Sequence, residues 1–228
     1  MPGISREMEL PRLAKFVQKF FKMIERSGNL IVISGPSGVG KSTLVKEARR
    51  VMPELEFSVS CTTRAPRAGE VDGRDYFFLS EEEFEQRVQK NEFVEYAGVF
   101  AHRYGTLKSE VISRLQRGAD VILDIDVQGA KQIRQAALHD PEIAKAAQFI
   151  MIVPPDMETL SRRLAGRNSE TPESLKLRLS GAQSELSNFR IYDYLVVNDD
   201  LTTAWNELIA LLKTLKMRSA LVKGEPFA

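Results

Sequence analysis

Residues 35–42 read Gly35-Pro36-Ser37-Gly38-Val39-Gly40-Lys41-Ser42 and fit the pattern G-x-x-x-x-G-K-[ST] at every fixed position. The apolar run Leu30–Ser34 precedes this loop, and a helical pattern from Lys41 to about Arg50 follows it. Glycines let such a loop curl so that successive N–H groups point at phosphate oxygens, and the helix N-terminus adds a favourable dipole. We therefore expect a nucleoside triphosphate here, with Lys41 on its β- and γ-phosphates and Ser42 supporting Mg²⁺.

The composition is that of an ordinary globular chain of 228 residues, with 43% hydrophobic and 28% charged residues. Its formal net charge of +1 gives no reason to expect a nucleic acid as partner. Cys61 is the only cysteine, so an internal disulfide is excluded, and we expect a small buried apolar side chain there. No apolar run reaches membrane-spanning length and no signal peptide is apparent, so we expect a cytoplasmic protein without a membrane partner.

Further apolar runs extend the strand–loop–helix unit into a sheet. They are nearly continuously hydrophobic and rich in Val and Ile, as strands covered on both faces are. Helical patterns lie between most of them, which indicates βαβ units. The predicted fold is α/β, a P-loop parallel sheet of about five strands flanked by helices. The predicted strands are Leu30–Ser34, Phe57–Ser60, Val121–Ile125, Phe149–Val153 and Tyr194–Val197.

Two segments interrupt the alternation of strands and helices. Residues 61–107 are basic and then aromatic, with one helix that starts at a capping box from Ser80 to Glu83 and runs to about Lys90. Residues 158–187 are arginine-rich and then helical. We expect both to be insertions into the core rather than parts of its sheet. The core would then comprise residues 29–60, 108–157 and 188–228.

Residues 1–28 form a separate, amphipathic helical extension. Apolar side chains recur on one face and basic ones occupy much of the rest. We interpret this as a helix that packs on its own core or on a second copy of the chain, which makes it a candidate for self-association. A membrane-surface helix and an organelle presequence are the alternatives. The acidic residues Glu7, Glu9 and Glu25 count against a presequence.

Asp124 ends the apolar run of a predicted parallel strand, at the edge where such sheets bind ligands. In P-loop proteins a carboxylate there can hold the magnesium shell through water. A loop-rich stretch from residue 60 to residue 76 carries two arginines and two hydroxyl groups, which suit a second phosphate because guanidinium groups bind its oxygens bidentately. These residues are Ser60, Arg64, Arg67 and Tyr76.

Glu95 lies within the apolar stretch Phe93-Val94-Glu95-Tyr96. A buried carboxylate needs hydrogen-bond donors. The edge of guanine supplies two of them, N1–H and N2–H₂, whereas adenine offers no such pair. Glu95 is therefore a candidate reader of a guanine base.

Together these residues resemble guanylate kinases, the family that moves the γ-phosphate of ATP to GMP. The similarity covers about residues 29–212. It is carried by Gly35–Thr43, Ser58-Val-Ser-Cys-Thr-Thr-Arg64-Ala-Pro-Arg67-Ala-Gly-Glu70, Gly73-Arg-Asp-Tyr76, Asn91-Glu-Phe-Val-Glu95, Tyr104-Gly105-Thr106, Leu123-Asp124-Ile-Asp126-Val-Gln128-Gly129 and Val197-Asn198-Asp199-Asp200.

The resemblance assigns roles to the matching positions. ATP would be bound by Gly35, Pro36, Ser37, Gly38, Val39, Gly40, Lys41, Ser42 and Thr43, with Asn198 at the adenine. The GMP phosphate would be held by Ser60, Arg64, Arg67, Tyr76 and Tyr104, and the guanine would be read by Glu95, Thr106 and Asp126. Residues 61–107 would be the GMP-binding insertion and residues 158–187 a helical lid, whose arginines Arg163, Arg167 and Arg178 would be catalytic together with Lys41. Mg²⁺ would enter with ATP, held by Ser42 and, through water, by Asp124.

The chain departs from the family pattern at three residues: Asn168 stands where glycine usually follows Arg167, and His102 and Arg103 precede Tyr104.

Two other functions stay open at this point. One is a non-catalytic guanylate-kinase-like module that binds phosphorylated proteins at the GMP site, and such modules typically lose the P-loop lysine and lid arginines that this chain keeps. The other is a kinase for a different nucleoside monophosphate, against which Glu95 and Thr106 argue. The expected transfer needs no general base, since the GMP phosphate is already an anion.

Overall fold

The computed structural model describes residues 25–99, 101–166 and 172–225, with the backbone alone at Val99. Strands of this part are β1 (Leu30–Ser34), β2 (Glu56–Phe57), β3 (Cys61–Thr62), β4 (Phe77–Phe78), β5 (Phe93–Val99), β6 (His102–Leu107), β7 (Val121–Asp124), β8 (Ala147–Val153) and β9 (Tyr194–Val197). Its α-helices are α1 (Lys41–Val51), α2 (Glu81–Gln89), α3 (Lys108–Gln116), α4 (Val127–Ala137), α5 (Pro141–Ala146), α6 (Met157–Ala165), α7 (Pro172–Leu186) and α8 (Leu201–Leu215). Short 3₁₀ turns follow at Phe189–Ile191 and Ser219–Leu221.

The main sheet has five parallel strands in the order β2-β7-β1-β8-β9, which confirms the predicted fold class. The central strand β1 is buried at every position, because both of its neighbours and both faces cover it. The predicted strand Phe57–Ser60 differs most, since only Glu56–Phe57 pairs here. The chain leaves the main sheet after Phe57 and enters a second sheet at Cys61.

Apolar side chains fill both faces of the main sheet, as the nearly continuous hydrophobic strands predict. On one face Ile31 and Ile33 pack with residues of α1 and α8. On the other face Leu30 and Val32 pack with residues of α3, α4 and α5. Alternate side chains of a strand point to opposite faces, so β1 contributes to both layers at once. This packing holds the carboxyl ends of β1 and β7 side by side.

Segment 61–107 contains a second sheet that the sequence analysis did not predict. Its order is β4-β3-β6-β5, with β3 and β4 parallel and the other pairs antiparallel. Helix α2 covers it, and the capping box of Ser80 and Glu83 is present as predicted. Phe84 of this helix stacks on Phe93, with ring centroids 4.6 Å apart. The strands are two to seven residues long, which is why no strand periodicity was apparent.

Helices α6 and α7 pack against each other through a small apolar cluster, among them Leu160, Leu164 and Ala182. The cluster also touches the P-loop: a Cβ at Gly38 would lie 2.6 Å from Leu164 Cδ2. The predicted lid arginine Arg167 lies outside the described residues. Within the described ranges, none of the helices has the length and apolar character needed to cross a bilayer.

The start of the main sheet is tied to the end of the chain by a buried polar network. The Asp120 carboxylate accepts hydrogen bonds from Arg26 Nη2 at 2.7 Å and from the backbone N–H of Asn29 at 2.8 Å. Arg218 in turn donates to Asn29 Oδ1 at 3.1 Å. Of the predicted N-terminal extension, residues 1–24 lie outside the described part.

Candidate active site

The P-loop turns at two glycines that no other residue can replace without strain. Gly38 and Gly40 have φ values of +86° and +93°, in the left-handed region. Gly40 is also the N-cap of α1, and a Cβ there would lie 2.4 Å from Asn198 Nδ2. The loop therefore curls tightly into the N-terminus of α1, where free backbone N–H groups favour an anion.

The loop faces a cavity of about 580 Å³. Its wall combines three parts of the chain: the P-loop, the carboxyl edge of the main sheet and the second sheet. The lining residues are Gly35, Pro36, Ser37, Gly38, Gly40, Lys41, Ser42, Thr43, Ser60, Tyr76, Glu95, Ala97, Tyr104, Gly105, Asp124, Ile125, Asp126 and Glu185. Most of the predicted site residues within the described ranges therefore share one cavity.

Lys41 and Asp124 form an ion pair in this cavity, between Lys41 Nζ and Asp124 Oδ1. The ammonium group also lies 3.5 Å from the carbonyl oxygen of Ile125. Burial lowers the pKa of Lys41 to about 8, and the negative charges of Asp126 and Glu185 oppose that shift. The half-buried ammonium group of Lys41 thus rests against the carboxylate at the end of β7.

Asp126 begins helix α4 as its N-cap, and its Oδ1 accepts from the backbone N–H of Gly129 at 2.8 Å. Ser34, at the end of β1, donates to the backbone carbonyls of Ile125 and Asp126 at 3.0 and 3.2 Å. These bonds fix the start of α4 against the end of β1. Asp126 accordingly holds a fixed place on the cavity wall.

Glu95 is buried, with 6% of its surface exposed, and lines the cavity. Thr106 Oγ1 donates to Glu95 Oε1 at 2.6 Å. Burial raises the pKa of Glu95 and the negative charge of Asp126 adds to the shift, while the bond from Thr106 opposes it. Thr106 thus lies behind the carboxylate, and the second oxygen, Oε2, lies close to Gly129.

A register shift in β5 gives Glu95 its direction. The pairing with β6 is irregular between Phe93 and Glu95. As a result three consecutive side chains enter three environments: Phe93 packs in the core of the second sheet, Val94 packs in the main core, and Glu95 faces the cavity. A bulge of this kind re-aims a side chain that regular alternation would point elsewhere.

The predicted phosphate residues of the second sheet are only partly assembled. Ser60, Tyr76 and Tyr104 line the cavity, and the two tyrosine rings have centroids 6.0 Å apart. Arg64 lies beside them, its guanidinium 5.5 Å from the Tyr76 ring centroid and ion-paired with Glu70 at 2.9 Å. Neither Arg64 nor Arg67 is among the lining residues, and Arg67 is exposed.

Of the predicted lid and adenine residues, Arg163, Arg178 and Asn198 are described, and they lie around the P-loop rather than in the cavity wall. Arg178 Nη1 contacts Ser37 Oγ at 3.4 Å. Arg163 donates to the backbone carbonyls of Asn198 and Asp199 at 2.6 and 2.8 Å. The amide of Asn198 is buried and donates to the carbonyl of Val39 at 2.7 Å, so this side chain lies behind the loop.

Glu185 lines the cavity although the sequence analysis did not select it. It follows Arg178 by seven residues on α7, and residues two turns apart share one face of a helix. Burial raises the pKa of Glu185, Asp126 raises it further, and Lys41 lowers it. The spacing from Arg178 was the signal that could have found it.

Cys61 is fully buried in the core of the second sheet, as predicted. Burial raises the pKa of its thiol to about 12. At neutral pH the side chain is therefore a thiol, which is a poor nucleophile.

Comparisons with known proteins agree with this geometry. A family model described as guanylate kinase matches residues 27–215. The chain is 40% identical to a guanylate kinase of Clostridioides difficile (strain 630), over 89% of this chain and 95% of that protein. It is 47% identical to a guanylate kinase of Koribacter versatilis (strain Ellin345), over 84% of this chain and 81% of that one. A crystal structure of guanylate kinase from Anaplasma phagocytophilum superposes with a TM-score of 0.66 at 31% identity, covering 89% of this chain and 93% of that one.

Proposed function

Because the chain belongs to the guanylate kinase family, and is therefore a nucleoside monophosphate kinase, we propose that the cavity transfers the γ-phosphate of ATP to GMP and, in the same way, to dGMP. One observation carries the assignment to this cavity. The P-loop lysine, Lys41, and a buried carboxylate, Glu95, line the same cavity. The reaction requires a triphosphate and a guanine base to be held together in one cavity.

The donor side is the loop Gly35–Thr43. Its backbone N–H groups and the N-terminus of α1 would hold the phosphates of ATP. Lys41 would exchange Asp124 for the β- and γ-phosphate oxygens, which are stronger partners because they carry more charge. The contact of Asn198 with adenine stays a prediction, and the bond from its amide to Val39 gives it a second role in supporting the loop.

A magnesium ion fits beside Lys41. The Ser42 hydroxyl and the Asp124 carboxylate both line the cavity there, and oxygen donors of this kind suit Mg²⁺. Two protein oxygens are typical for Mg²⁺, because this ion keeps several waters and takes its other ligands from substrate phosphates. When bound with ATP, the ion would neutralise charge on the transferring phosphoryl group.

The acceptor side reads guanine through Glu95. Its carboxylate would accept from N1–H and N2–H₂, with Thr106 fixing one oxygen and Asp126 facing the same space. Burying the carboxylate of Glu95 away from water is costly, which is the reason its pKa is raised. Guanine offers the pair of donors that relieves this cost, and adenine does not.

Catalysis then consists mainly of bringing two polyanions together. Two unit charges 4 Å apart repel by about 1 kcal/mol in water and by several times that in a partly dry cleft. Lys41 and the arginines would offset this repulsion and stabilise the transferring group. Arg67 and Arg163 lie outside the cavity wall, so we propose that the 61–107 segment and the 158–187 lid close around both nucleotides. The arginines in question are Arg64, Arg67, Arg163, Arg167 and Arg178.

The non-catalytic alternative has less support. Lys41 lines the cavity, Arg178 contacts the P-loop and Arg163 is present on α6. A module that only bound phosphorylated proteins would have no need of this lysine. The relatives to which the chain is similar are named as kinases.

A coupled assay of ADP release tests the proposed function. With ATP and Mg²⁺ present, GMP and dGMP should support turnover, whereas AMP and UMP should support little. Absence of ADP release with GMP would reject the proposal, and turnover with AMP or UMP equal to that with GMP would reject the specificity. Self-association through residues 1–28 and a cytoplasmic location stay predictions of the sequence.

A further inference from the structure

Among the described residues, strand β5 lies at the edge of the second sheet and pairs with β6 alone. In an antiparallel pair the N–H and C=O of one residue point to the same side, and successive residues alternate sides. Tyr96 directs both groups away from β6. The residue that receives them is Gln132 of helix α4, 36 positions along the chain.

Gln132 pairs with the backbone of Tyr96 through both ends of its amide. Its Oε1 accepts from Tyr96 N at 2.9 Å, and its Nε2 donates to Tyr96 O at 2.7 Å. The side-chain amide thus takes the place of one residue of a neighbouring strand. Two parallel bonds fix both the position and the direction of β5, whereas a single bond would leave it free to pivot.

The helix that carries Gln132 also touches Glu95 and caps its own first turn. Asp126, Gly129 and Gln132 follow one another at intervals of three, so they lie along one side of α4. Asp126 lines the cavity, and a Cβ at Gly129 would lie 3.0 Å from Glu95 Oε2. Tyr96, which Gln132 holds, is the next residue after Glu95. One side of α4 therefore seats the part of β5 that carries the guanine-reading carboxylate.

We propose that Gln132 is a positioning residue for guanine recognition, which acts by holding β5 so that Glu95 and Asp126 face the base at a fixed separation. The proposal rests on the proposed function of Glu95. It adds a specificity-determining contact between the main core and the second sheet that touches no substrate itself. None of the motifs that carry the resemblance to guanylate kinases includes Gln132, because Gln132 acts through the backbone of Tyr96.

Gln132→Met tests the proposal, since methionine has similar length and helix propensity but makes neither bond. The substrates are GMP and IMP, because IMP keeps N1–H and lacks the 2-amino group. We expect kcat/KM for GMP to fall by about 5- to 30-fold, as two lost hydrogen bonds allow, and the fall for IMP to be smaller. The KM for ATP should stay within about twofold. Gln135→Met, an exposed position on the same helix, is the matched control and should change none of these values.

Gln132→Glu gives a second test. Its carboxylate can still accept from Tyr96 N but sets an oxygen that cannot donate against Tyr96 O, so GMP activity should fall at least as far as in Gln132→Met. Amide hydrogen exchange reports on the clamp, by which we mean the two hydrogen bonds between Gln132 and the backbone of Tyr96. The Tyr96 amide should exchange about tenfold faster in Gln132→Met. Unchanged exchange at Tyr96 would overturn the proposed clamp. The GMP-to-IMP ratio is the kcat/KM for GMP divided by the kcat/KM for IMP. Faster exchange at Tyr96 with an unchanged GMP-to-IMP ratio would overturn the role of Gln132 in specificity.

Glu95→Gln separates this inference from the function on which it rests. If Glu95→Gln leaves the GMP-to-IMP ratio as it is, the assignment of Glu95 fails, whatever Gln132→Met does. If Glu95→Gln lowers the ratio and Gln132→Met does not, only the inference fails. In the double variant we expect the two effects on the ratio to be less than additive, because both act on one carboxylate. Additive effects would contradict the inference.

Discussion

On its donor side the cavity presents backbone groups of one continuous loop, Gly35–Ser42, whereas its guanine side brings together side chains from β5, β6 and α4. The loop is set by its own glycines and by the helix that it starts. Glu95 depends instead on Thr106, on the closeness of Gly129 and on a bulge in its strand. The donor site is therefore a local structure, and the acceptor site is a tertiary one.

This difference determines how each half responds to change. In the proposed function, a substitution of Lys41 in the loop removes a group that meets the transferring phosphate, so its effect should fall on the chemical step. A substitution on the proposed guanine side shifts or discharges the Glu95 carboxylate, so its effect should fall on specificity. Substitutions in the loop should therefore lower mainly kcat, and substitutions on the guanine side should lower mainly the affinity and preference for GMP.

Lys41→Ala should have the largest effect. It removes the charge that stabilises the transferring phosphoryl group, so we expect kcat to fall by about 10³-fold, while the dissociation constant of GMP stays within about threefold. Steady-state turnover and GMP titration measure the two quantities. If both fell in parallel, Lys41 would serve the acceptor as well, and the separation of the two halves would be wrong.

Glu95→Gln should come next. Glutamine keeps the size of the side chain and its bond with Thr106 but presents a donor to the guanine edge and removes the charge. We expect kcat/KM for GMP to fall by about 10- to 100-fold, as for hydrogen bonds to a charged group, with the KM for ATP unchanged. Competition between GMP and AMP measures the preference. An unaltered preference would reject Glu95 as the reader of guanine.

Gly129→Ala should have a smaller effect on the same side. The added Cβ would lie 3.0 Å from Glu95 Oε2, so the carboxylate must move by a few tenths of an ångström. We expect the KM for GMP to rise by about 3- to 10-fold with little change in kcat. Gly181→Ala is the matched control, because it also places alanine in a helix but has open space at its Cβ. Equal effects of the two substitutions would show that helix propensity alone is at work.

The smallest effect is a dependence on pH. Glu95 must be ionised to accept from guanine, and its raised pKa means that it protonates at a higher pH than an ordinary glutamate. GMP affinity should therefore fall as the pH is lowered through this raised pKa. The same pKa shift has the opposite effect on the free energy of unfolding without nucleotide. The folded protein binds the Glu95 proton more tightly than the unfolded chain does, so it loses stability as pH rises from about 4.5 through the folded pKa.

Two measurements follow from that sign. In the wild-type chain the KM for GMP should climb at acid pH more steeply than in Glu95→Gln, which serves as the control for titration of the GMP phosphate itself. In thermal unfolding without nucleotide, Glu95→Gln should melt at or above the wild-type temperature at neutral pH, because it removes a buried charge. A lower melting temperature would show that the carboxylate is well compensated in the empty site.

The same contrast explains what could be predicted from the sequence. The P-loop was predictable residue by residue, because a local motif with flanking strand and helix specifies it. The parallel main sheet was predictable from its continuous apolar runs. The second sheet was not, since strands such as Cys61–Thr62 and Phe77–Phe78 are too short to show a period.

Contacts across long sequence separations were likewise missed. The bond from Gln132 to Tyr96 joins positions 36 apart, and the pairing of Lys41 with Asp124 joins positions 83 apart. Nothing in the local pattern of Gln132 marks it as part of the site, and for Glu185 only its spacing from Arg178 does. The positions of Arg67 and Arg163 outside the cavity wall also could not be predicted, because a motif fixes residue identity and not the state of closure.

A calorimetric titration with GMP, performed on the wild-type chain, Lys41→Ala and Glu95→Gln, tests most directly whether the two halves of the cavity are separate. We predict that Lys41→Ala binds GMP about as tightly as the wild-type chain does, and that Glu95→Gln binds it about 10- to 100-fold more weakly. Equal loss of GMP affinity in both variants, or full affinity in Glu95→Gln, would contradict this account.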